Sequence, residues 1–241
     1  MTQPLFLFLP GAFASIGADI QEEVAAALPG TELDFHDFVP SGMLAREIRE
    51  GAPADVYVSA NIQFMNELHE AGFVPDPAPL AGNRLCIIVR PDAAERIHSL
   101  DDLAHPDTTL VTPQSQTDPC GQYVVELFER AGITATMHAK RETGTLMHSR
   151  GSGDLPGYLF DGRAQAGIFY HSETIALGDR VVVIELPATL DLRDRIQFTI
   201  GAVRRTGTIG PRAQPVVDWF LDSHGQALLE RHGFLPSLAL R

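Results

Sequence analysis

The sequence predicts an α/β fold in which largely parallel sheets are covered by helices on both faces. Short apolar runs alternate with amphipathic stretches along most of the 241 residues. The apolar runs are typical of strands buried on both faces. Several amphipathic stretches end at a glycine, such as Gly72 and Gly132, which is a usual helix terminator. Strands and helices that alternate in this way form parallel sheets flanked by helices.

The first 72 residues are predicted to alternate between three strands and three helices. The opening run LFLFL has the apolar character of a signal peptide, but a signal needs a preceding positive charge. No Lys or Arg precedes position 46, so we interpret the run as a strand. Apolar residues at 16, 20, 24 and 28 predict a helix, with Ser15 as its N-cap. The predicted strands lie at 5–9, 31–38 and 54–60, and the helices at 16–28, 41–50 (capped by Ser41) and 61–72.

A segment rich in Pro and Gly, at 74–82, predicts a boundary between two regions. The apolar strand predicted at 196–203 returns the chain to the first region. We therefore expect a discontinuous first lobe, 1–83 and 198–241, and a second lobe at 84–197. In the rest of the chain the predicted strands lie at 84–91, 109–113, 164–170, 180–186 and 196–203, and the helices at 99–106, 120–132, 155–162 and 215–233.

Composition and charge exclude several classes of partner. The net charge of −13 argues against nucleic acid, which requires a basic face. The same charge repels anions at long range, so an anion site must rely on local donors. No apolar run approaches the roughly 20 residues that span a bilayer. Cys86 and Cys120 are too few for a disulfide scaffold, and we expect both to be free thiols.

Enzyme motifs are mostly missing from the sequence. There is no nucleophile elbow or phosphate-binding loop, and no two His have the spacing that places two metal ligands on one helix face. The one candidate nucleophile pair is Cys120 with His171 or His148, because a Cys at a helix N-terminus has a lowered pKa. His36 and His171 fall at strand ends, where sites of α/β proteins form.

Small or polar residues follow four predicted strands and open the next helix. They are residues 11–15, 40–42, 59–61 and 118–121. Ligands of α/β sheets bind beyond the carboxyl ends of the strands. A helix that begins there presents unpaired N–H groups and the positive end of its dipole. Each segment alone is explained as a helix cap, but four of them in one chain favour an anion-binding site.

Five blocks of the sequence carry a resemblance to a known family. They are SGMLAREIREGAPADVYVSANIQFMNEL, LAGNRLCIIVRP, DPCGQYVVELFERAGI, DGRAQAGIFYHSE and FLDSHGQALLERHGFLP, spread over nearly the whole chain. In this order they resemble the molybdate-binding proteins of bacterial ABC importers. The resemblance implies the two-lobed type II fold of periplasmic binding proteins. It also implies a small oxyanion, such as molybdate or tungstate, held in the cleft between the lobes by backbone N–H groups, hydroxyls and one Tyr.

The same resemblance assigns the residues of the ligand site, with departures from the family pattern. Ala12 and Pro40 stand where the family has Ser, although Ser15 and Ser41 lie nearby. Losing two hydroxyl donors costs an anion about 1.5–3 kcal/mol each, and we expect Arg150 to compensate. The expected ligand-binding residues are Ala12, Ser15, Ser41, Ser59, Cys120, Gly121, Arg150, Ser152 and Tyr170.

These departures leave alternatives open for the ligand and the function. A different anion held by Arg150 is one, and a metal complex that uses His36, His171 or Cys120 is another. A cytoplasmic sensor or an enzyme on the same scaffold is the third. The leading expectation is a monomeric, periplasmic binding protein without cofactor or resident metal, which delivers its ligand to the membrane subunits of an ABC importer. The family is exported, so we expect a signal peptide that this sequence lacks to have been removed.

Overall fold

Two five-stranded sheets, one in each of two units of the chain, form the framework of the protein. The structure is a computed structural model that describes residues 3–205 and 207–237. Unit 1 comprises Met1–Asn83 and Ile196–Arg241, and unit 2 comprises Arg84–Arg195. The chain therefore leaves unit 1 after Asn83 and returns to it at Ile196.

The elements alternate along much of the chain, as predicted. The strands are β1 (Leu5–Phe8), β2 (Leu33–Phe35), β3 (Val56–Ser59), β4 (Ala78–Gly82), β5 (Leu85–Val89), β6 (Leu110–Pro113), β7 (Leu146–Ser149), β8 (Ala166–Tyr170), β9 (Val182–Glu185), β10 (Gln197–Ala202), β11 (Arg204–Arg205) and β12 (Thr208–Ile209). The α-helices are α1 (Gly17–Ala27), α2 (Ser41–Arg49), α3 (Ile62–Glu70), α4 (Leu100–Leu103), α5 (Pro119–Arg130), α6 (Thr134–Glu142), α7 (Leu155–Phe160), α8 (Ala213–Leu221) and α9 (Ser223–Arg231).

In unit 1 the strand order is β2-β1-β3-β10-β4. Strand β1 runs parallel to β2 and β3, and β10 runs antiparallel to β3 and β4. All four residues of β3 are buried, which agrees with helices covering both faces. Phe8, Tyr57, Leu44 and Leu68 belong to one buried cluster that joins the sheet to α2 and α3. The carboxyl ends of β1, β2 and β3 therefore meet at one edge of this sheet.

Unit 2 repeats this arrangement, with strand order β7-β6-β8-β5-β9. Strand β6 runs parallel to β7 and β8, whereas β5 runs antiparallel to β8 and β9. Every residue of β5, β6 and β8 is buried. The carboxyl ends of β6, β7 and β8 therefore meet at one edge, and the loops that follow them lie where ligands of α/β sheets bind.

Several elements differ from the sequence expectation. The segment at 78–82, predicted as part of a boundary, forms β4, which is an edge strand and so tolerates Pro79. Helix α6 and strand β7 were not predicted. The single helix predicted at 215–233 is two helices, because the Asp222 side chain caps α9 by accepting from His224 N and Gly225 N.

Two predicted N-caps are wrong. Residues Gly11–Ile16 form a 3₁₀ helix, and α1 begins after Ile16, so Ser15 caps nothing. Pro40 occupies the N-cap position of α2, and Ser41 is the first residue of that helix. Pro156 lies in the first turn of α7, where a helix tolerates proline. Within the described part of the chain, no helix combines the length and apolar character that crossing a membrane requires.

Candidate ligand-binding site

The loops after the parallel strands of unit 1 bring neutral polar groups together. Ser41 is fully buried at the start of α2, and its Oγ accepts a hydrogen bond from Ala60 N at 3.0 Å. The Tyr57 hydroxyl donates to the Ser41 carbonyl at 2.9 Å, which fixes the start of the helix. The Ser41 side chain also hydrogen-bonds the Tyr57 side chain, so both its hydroxyl and its carbonyl are engaged within unit 1.

The turn after β3 is held by its own side chains. The Ser59 hydroxyl donates to Asn61 Oδ1 at 3.4 Å, and the same oxygen caps α3 by accepting from Phe64 N at 3.2 Å. After β1, Ala12 is buried in the 3₁₀ helix and offers only its backbone, whereas Ser15 is exposed. The structure thus brings Ser41 together with the turn that contains Ser59, but it leaves Ser15 on the surface.

In unit 2 a carboxylate occupies the N-terminus of α5. Asp118 is the N-cap, and its Oδ1 accepts from Cys120 N at 2.8 Å. Its Oδ2 accepts from Ser152 N, also at 2.8 Å, which comes from the loop after β7. Two N–H groups from different loops therefore converge on one anionic group. These are the backbone donors that the sequence analysis expected to hold an oxyanion.

Gly121 lets this helix start lie close to the preceding loop. A Cβ atom built on Gly121 would lie 2.5 Å from the Gln114 carbonyl oxygen and 2.6 Å from the Pro113 carbonyl oxygen. Relieving such a contact requires the backbone itself to move, which costs free energy. A larger residue would therefore displace the loop. The glycine therefore serves a close backbone approach at the site.

A second buried acid, Glu173, lies near Asp118. It follows Tyr170 in the 3₁₀ helix after β8, and a hydrogen bond links its side chain to Ser152. Burial, reinforced by the charge of Asp118, raises the pKa of Glu173 to about 8. Burial also raises the pKa of Asp118 to about 6, although hydrogen bonds from Ser152, Cys120 and Gly121 oppose the rise. At neutral pH Glu173 thus holds a proton, while most of Asp118 is ionised.

Tyr170 ends β8 and is buried, with 1% of its surface exposed. Burial raises the pKa of its hydroxyl well above the usual value, so the group is a neutral donor.

Glu173 Oε2 has no hydrogen-bond partner among the described residues. An unsatisfied buried oxygen of this kind is costly, and a ligand with a donor or a positive centre would satisfy it.

Arg150 does not point to a buried anion. Its side chain is 66% exposed and pairs with Asp154 at 3.3 Å. Ser152, two residues later, is buried and bonded to the two acids described above. The loop therefore contributes its backbone and Ser152 to this part of the structure, and it leaves Arg150 in solvent.

The nucleophile expectation for Cys120 is wrong. Burial, with a contribution from the charge of Asp118, raises the pKa of the thiol well above its usual value, which is the opposite of activation. His148 Nδ1 lies 3.1 Å from Thr112 Oγ1, and His171 Nε2 lies 3.5 Å from Glu185. Cys86 and Cys120 are both free and buried.

His36, which follows β2, also makes structural contacts. His36 Nε2 pairs with Glu47 at 2.9 Å, and its ring packs at a 45° tilt against Phe8, with centroids 4.3 Å apart. Within the described residues, no group of three or more His, Cys, Asp or Glu side chains forms a metal site.

Sequence reasoning missed the two acids as site residues. Asp118 was noticed only as part of a helix opening, and Glu173 was not singled out. The available signal was position: Asp118 precedes the Pro that opens α5, and Glu173 follows a buried strand by three residues. Their proximity is a tertiary contact between residues 55 positions apart, which no local pattern reveals.

Comparison with known proteins decides the family. The model of the bacterial extracellular solute-binding protein family matches residues 8–235. The chain belongs to this family. The molybdate-binding protein ModA of Mycobacterium tuberculosis strain H37Rv is 26% identical over 227 residues, which cover 94% of this chain and 80% of that protein.

Two solved structures share the fold of this family member over nearly its whole length. The periplasmic molybdate-binding protein of Azotobacter vinelandii superposes with a TM-score of 0.80 at 15% identity, covering 96% of this chain and 98% of that one. The sulfate-binding protein SubI of M. tuberculosis H37Rv gives a TM-score of 0.76 at 18% identity, covering 98% and 87%. The predicted type II fold of periplasmic binding proteins is thereby confirmed.

The family and these neighbours are binding proteins and not enzymes. The protein is therefore a solute-binding protein of the molybdate-binding type, as the sequence blocks predicted. Members of this family deliver small anionic ligands to ABC importers.

Proposed function

We propose that this protein captures a small oxyanion of the molybdate and tungstate class outside the cytoplasm, as a monomer, and delivers it to the membrane subunits of an ABC importer. The observation that carries the proposal is the convergence of Cys120 N and Ser152 N on one anionic group, the Asp118 carboxylate. Capping of α5 alone needs only Cys120 N, since Ser152 belongs to another loop. This arrangement of donors suits an anion.

The donors proposed for the oxyanion lie in unit 2. They are Tyr170, Ser152 and the start of α5 at Cys120 and Gly121. Each hydrogen bond to a charged ligand contributes about 1.5–3 kcal/mol. Ala12 can contribute only its backbone, and Ser15 and Arg150 are exposed, so we assign them no direct contact.

Binding of an oxyanion at the proposed site depends on the protonation state of Asp118. Its carboxylate holds the N–H groups that an oxyanion requires, so the oxyanion must displace it or share the donors. Protonation of Asp118, whose pKa is about 6, weakens its hold on both N–H groups. The neutral acid Glu173 then adds one more donor to the site. We therefore expect the affinity for an oxyanion to rise as pH falls from 9 to 6.

A second candidate ligand is favoured by Glu173 Oε2, which has no partner among the described residues. Two buried acids suit a ligand that carries its own proton or a positive centre, such as hydrogen phosphate or a hydrated metal complex. Such a ligand would be bound through the ionised acids. Its affinity should therefore rise with pH, which is the opposite of the oxyanion case.

Isothermal titration calorimetry at pH 6 and pH 8.5 tests the proposal. The titrants are molybdate, tungstate, sulfate, phosphate and a ferric citrate complex. Molybdate or tungstate binding more tightly at pH 6 supports the oxyanion proposal. Binding that strengthens at pH 8.5 and is restricted to phosphate or the metal complex supports the second candidate. Binding of none of these ligands, by a protein that melts cooperatively, would contradict both.

A further inference from the structure

A cavity in unit 2 borders the start of α5 at Gly121, and neither Asp118 nor Glu173 is among its described lining residues. It lies among α5, α6, β6 and β7 and has a volume of about 330 Å³. Val124 and Phe128 of α5, Met137 of α6 and Leu146 of β7 form its apolar floor. All four are buried, although the cavity itself opens to solvent. Its volume falls within the range of small-molecule sites.

The rim of the cavity is basic. His138, Arg141 and His148 line it, and none of its described lining residues is Asp or Glu. This is unusual for a chain with 31 acidic and 18 basic residues. Arg141 makes no ion pair among the described residues, and its charge helps burial to lower the pKa of His148. Arg141 and His148 line the same cavity, so an anion bound in it would be attracted by the Arg141 charge.

We propose that this cavity binds a small organic monocarboxylate with an apolar body, at a site that does not include the buried acids Asp118 and Glu173. The carboxylate would pair with the Arg141 guanidinium, whose planar fork suits two parallel hydrogen bonds. The apolar body would cover Val124, Phe128, Met137 and Leu146. Charge complementarity and volume both favour this class over an inorganic anion, which has no apolar part to bury, and over a cation.

Neighbouring side chains hold the ring and the backbone of His148 in place at the rim of the cavity. Its Nδ1 lies 3.1 Å from Thr112 Oγ1, and its carbonyl accepts a hydrogen bond from the Tyr158 hydroxyl at 3.3 Å. These contacts fix the ring and its backbone at the rim. A bound carboxylate would offset the repulsion by Arg141, so it should raise the pKa of His148.

Two-dimensional ¹H–¹⁵N NMR with saturating molybdate present tests the site by chemical class. The probes are hexanoate and benzoate, with hexan-1-ol and hexylammonium as the neutral and cationic controls. We expect the carboxylates to shift the amides of Val124, Met137 and Leu146, with Kd of about 0.1–1 mM, as ligands of this size reach. Hexan-1-ol should bind at least about tenfold more weakly, and hexylammonium should not bind.

Substitutions at two exposed residues, Arg141 and Val125, test the site without removing side chains from the core. Arg141→Gln should weaken hexanoate about tenfold, and Val125→Glu should abolish its binding by placing a negative charge on the rim. Arg46→Gln and Ile62→Glu, which change exposed residues of unit 1, should leave hexanoate binding unchanged. Equal binding of hexanoate and hexan-1-ol, or unchanged affinity in Arg141→Gln, would overturn the proposal. Displacement of hexanoate by molybdate would also overturn it, because both would then share the oxyanion site.

Discussion

The two units of this protein have the same arrangement of strands, but the corresponding loops differ in charge. In each sheet three parallel strands are followed by an antiparallel strand and an edge strand. After the third parallel strand, unit 1 has the neutral Asn61, whereas unit 2 has the buried acid Glu173. The topology therefore decides where the loops lie, while single residues decide the charge that each loop carries.

The difference extends to how the backbone donors are satisfied. In unit 1 the neutral Ser41 hydroxyl accepts from Ala60 N, and Asn61 caps α3. In unit 2 the charged Asp118 serves Cys120 N and Ser152 N. Hydrogen bonds to a charged group are stronger, but burying the charge is costly. We therefore expect unit 2 to respond to pH and to substitution more strongly than unit 1.

The largest expected effect comes from removing the cap of α5. Asp118→Ala leaves the N–H groups of Cys120 and Ser152 without their acceptor, at about 1–3 kcal/mol each, so we expect unit 2 to lose about 3 kcal/mol. Asn61→Ala, the matched change in unit 1, removes one neutral cap and should cost about 1 kcal/mol. Hydrogen exchange of peptides from each unit measures both.

Trp219, the one tryptophan of the sequence, lies in unit 1 and offers an independent measurement. Its fluorescence should report the loss in Asn61→Ala directly. Equal destabilisation by the two variants would remove the proposed contrast between the units.

The pH dependence of stability should be specific to Glu173. Its pKa rises from 4.5 in the unfolded chain to about 8 in the folded one, so the folded protein retains a proton that the unfolded chain releases. The resulting stability is complete below pH 4.5, falls as pH rises and is lost above about 8, by at most about 1.4 kcal/mol per pH unit. Asp118 acts with the same sign at lower pH, between 3.8 and about 6.

Glu173→Gln should remove this loss. Between pH 6.5 and 8.5 we expect the wild type to lose about 1.5 kcal/mol more than the variant, in urea unfolding followed by circular dichroism. Glu67→Gln, at a half-exposed acid of unit 1 that pairs with Arg49, should retain the wild-type dependence. Parallel pH profiles for the wild type and Glu173→Gln would show that Glu173 is not the titrating group.

A change of intermediate size should follow loss of the Tyr170 hydroxyl. Tyr170→Phe keeps the buried ring, so folding should persist, while one hydrogen bond to the ligand is lost. We expect molybdate or tungstate, whichever binds, to bind about tenfold more weakly, which corresponds to about 1.4 kcal/mol. Tyr158→Phe, on the exposed side of the same unit, serves as the control in calorimetry. An affinity that is unchanged in Tyr170→Phe would place the ligand away from Tyr170.

The smallest effect is expected at Arg150. The sequence suggested that Arg150 compensates for two lost hydroxyls, but its side chain is exposed and paired with Asp154. Exposed ion pairs contribute about 0–1 kcal/mol. Arg150→Ala should therefore change the oxyanion affinity by less than about twofold, measured by the same titration. A tenfold loss would show that the loop closes over the ligand and would restore the original expectation.

Local patterns predicted part of the candidate site. Ser41, Ser59, Cys120 and Gly121 were predicted because each lies where a strand ends and a helix begins, and such positions are visible in the sequence. The exposure of Arg150 and the burial of Asp118 were not predictable in this way. Both depend on neighbours that are distant in the sequence, and a charged side chain gives no local signal of its surroundings.

The five sequence blocks carried the resemblance to the family, and short-range patterns of apolar residues and glycines predicted most strands and helices. Three further features depend on tertiary contacts. Strand β4 forms because it pairs with β10, although the Pro and Gly content of its own segment predicted a boundary between two regions. The helix predicted at 215–233 breaks at Asp222, where a Cβ on Gly225 would lie 2.3 Å from the Trp219 carbonyl oxygen. Asp118 and Glu173 meet because parallel strands far apart in the chain end at one edge of a sheet.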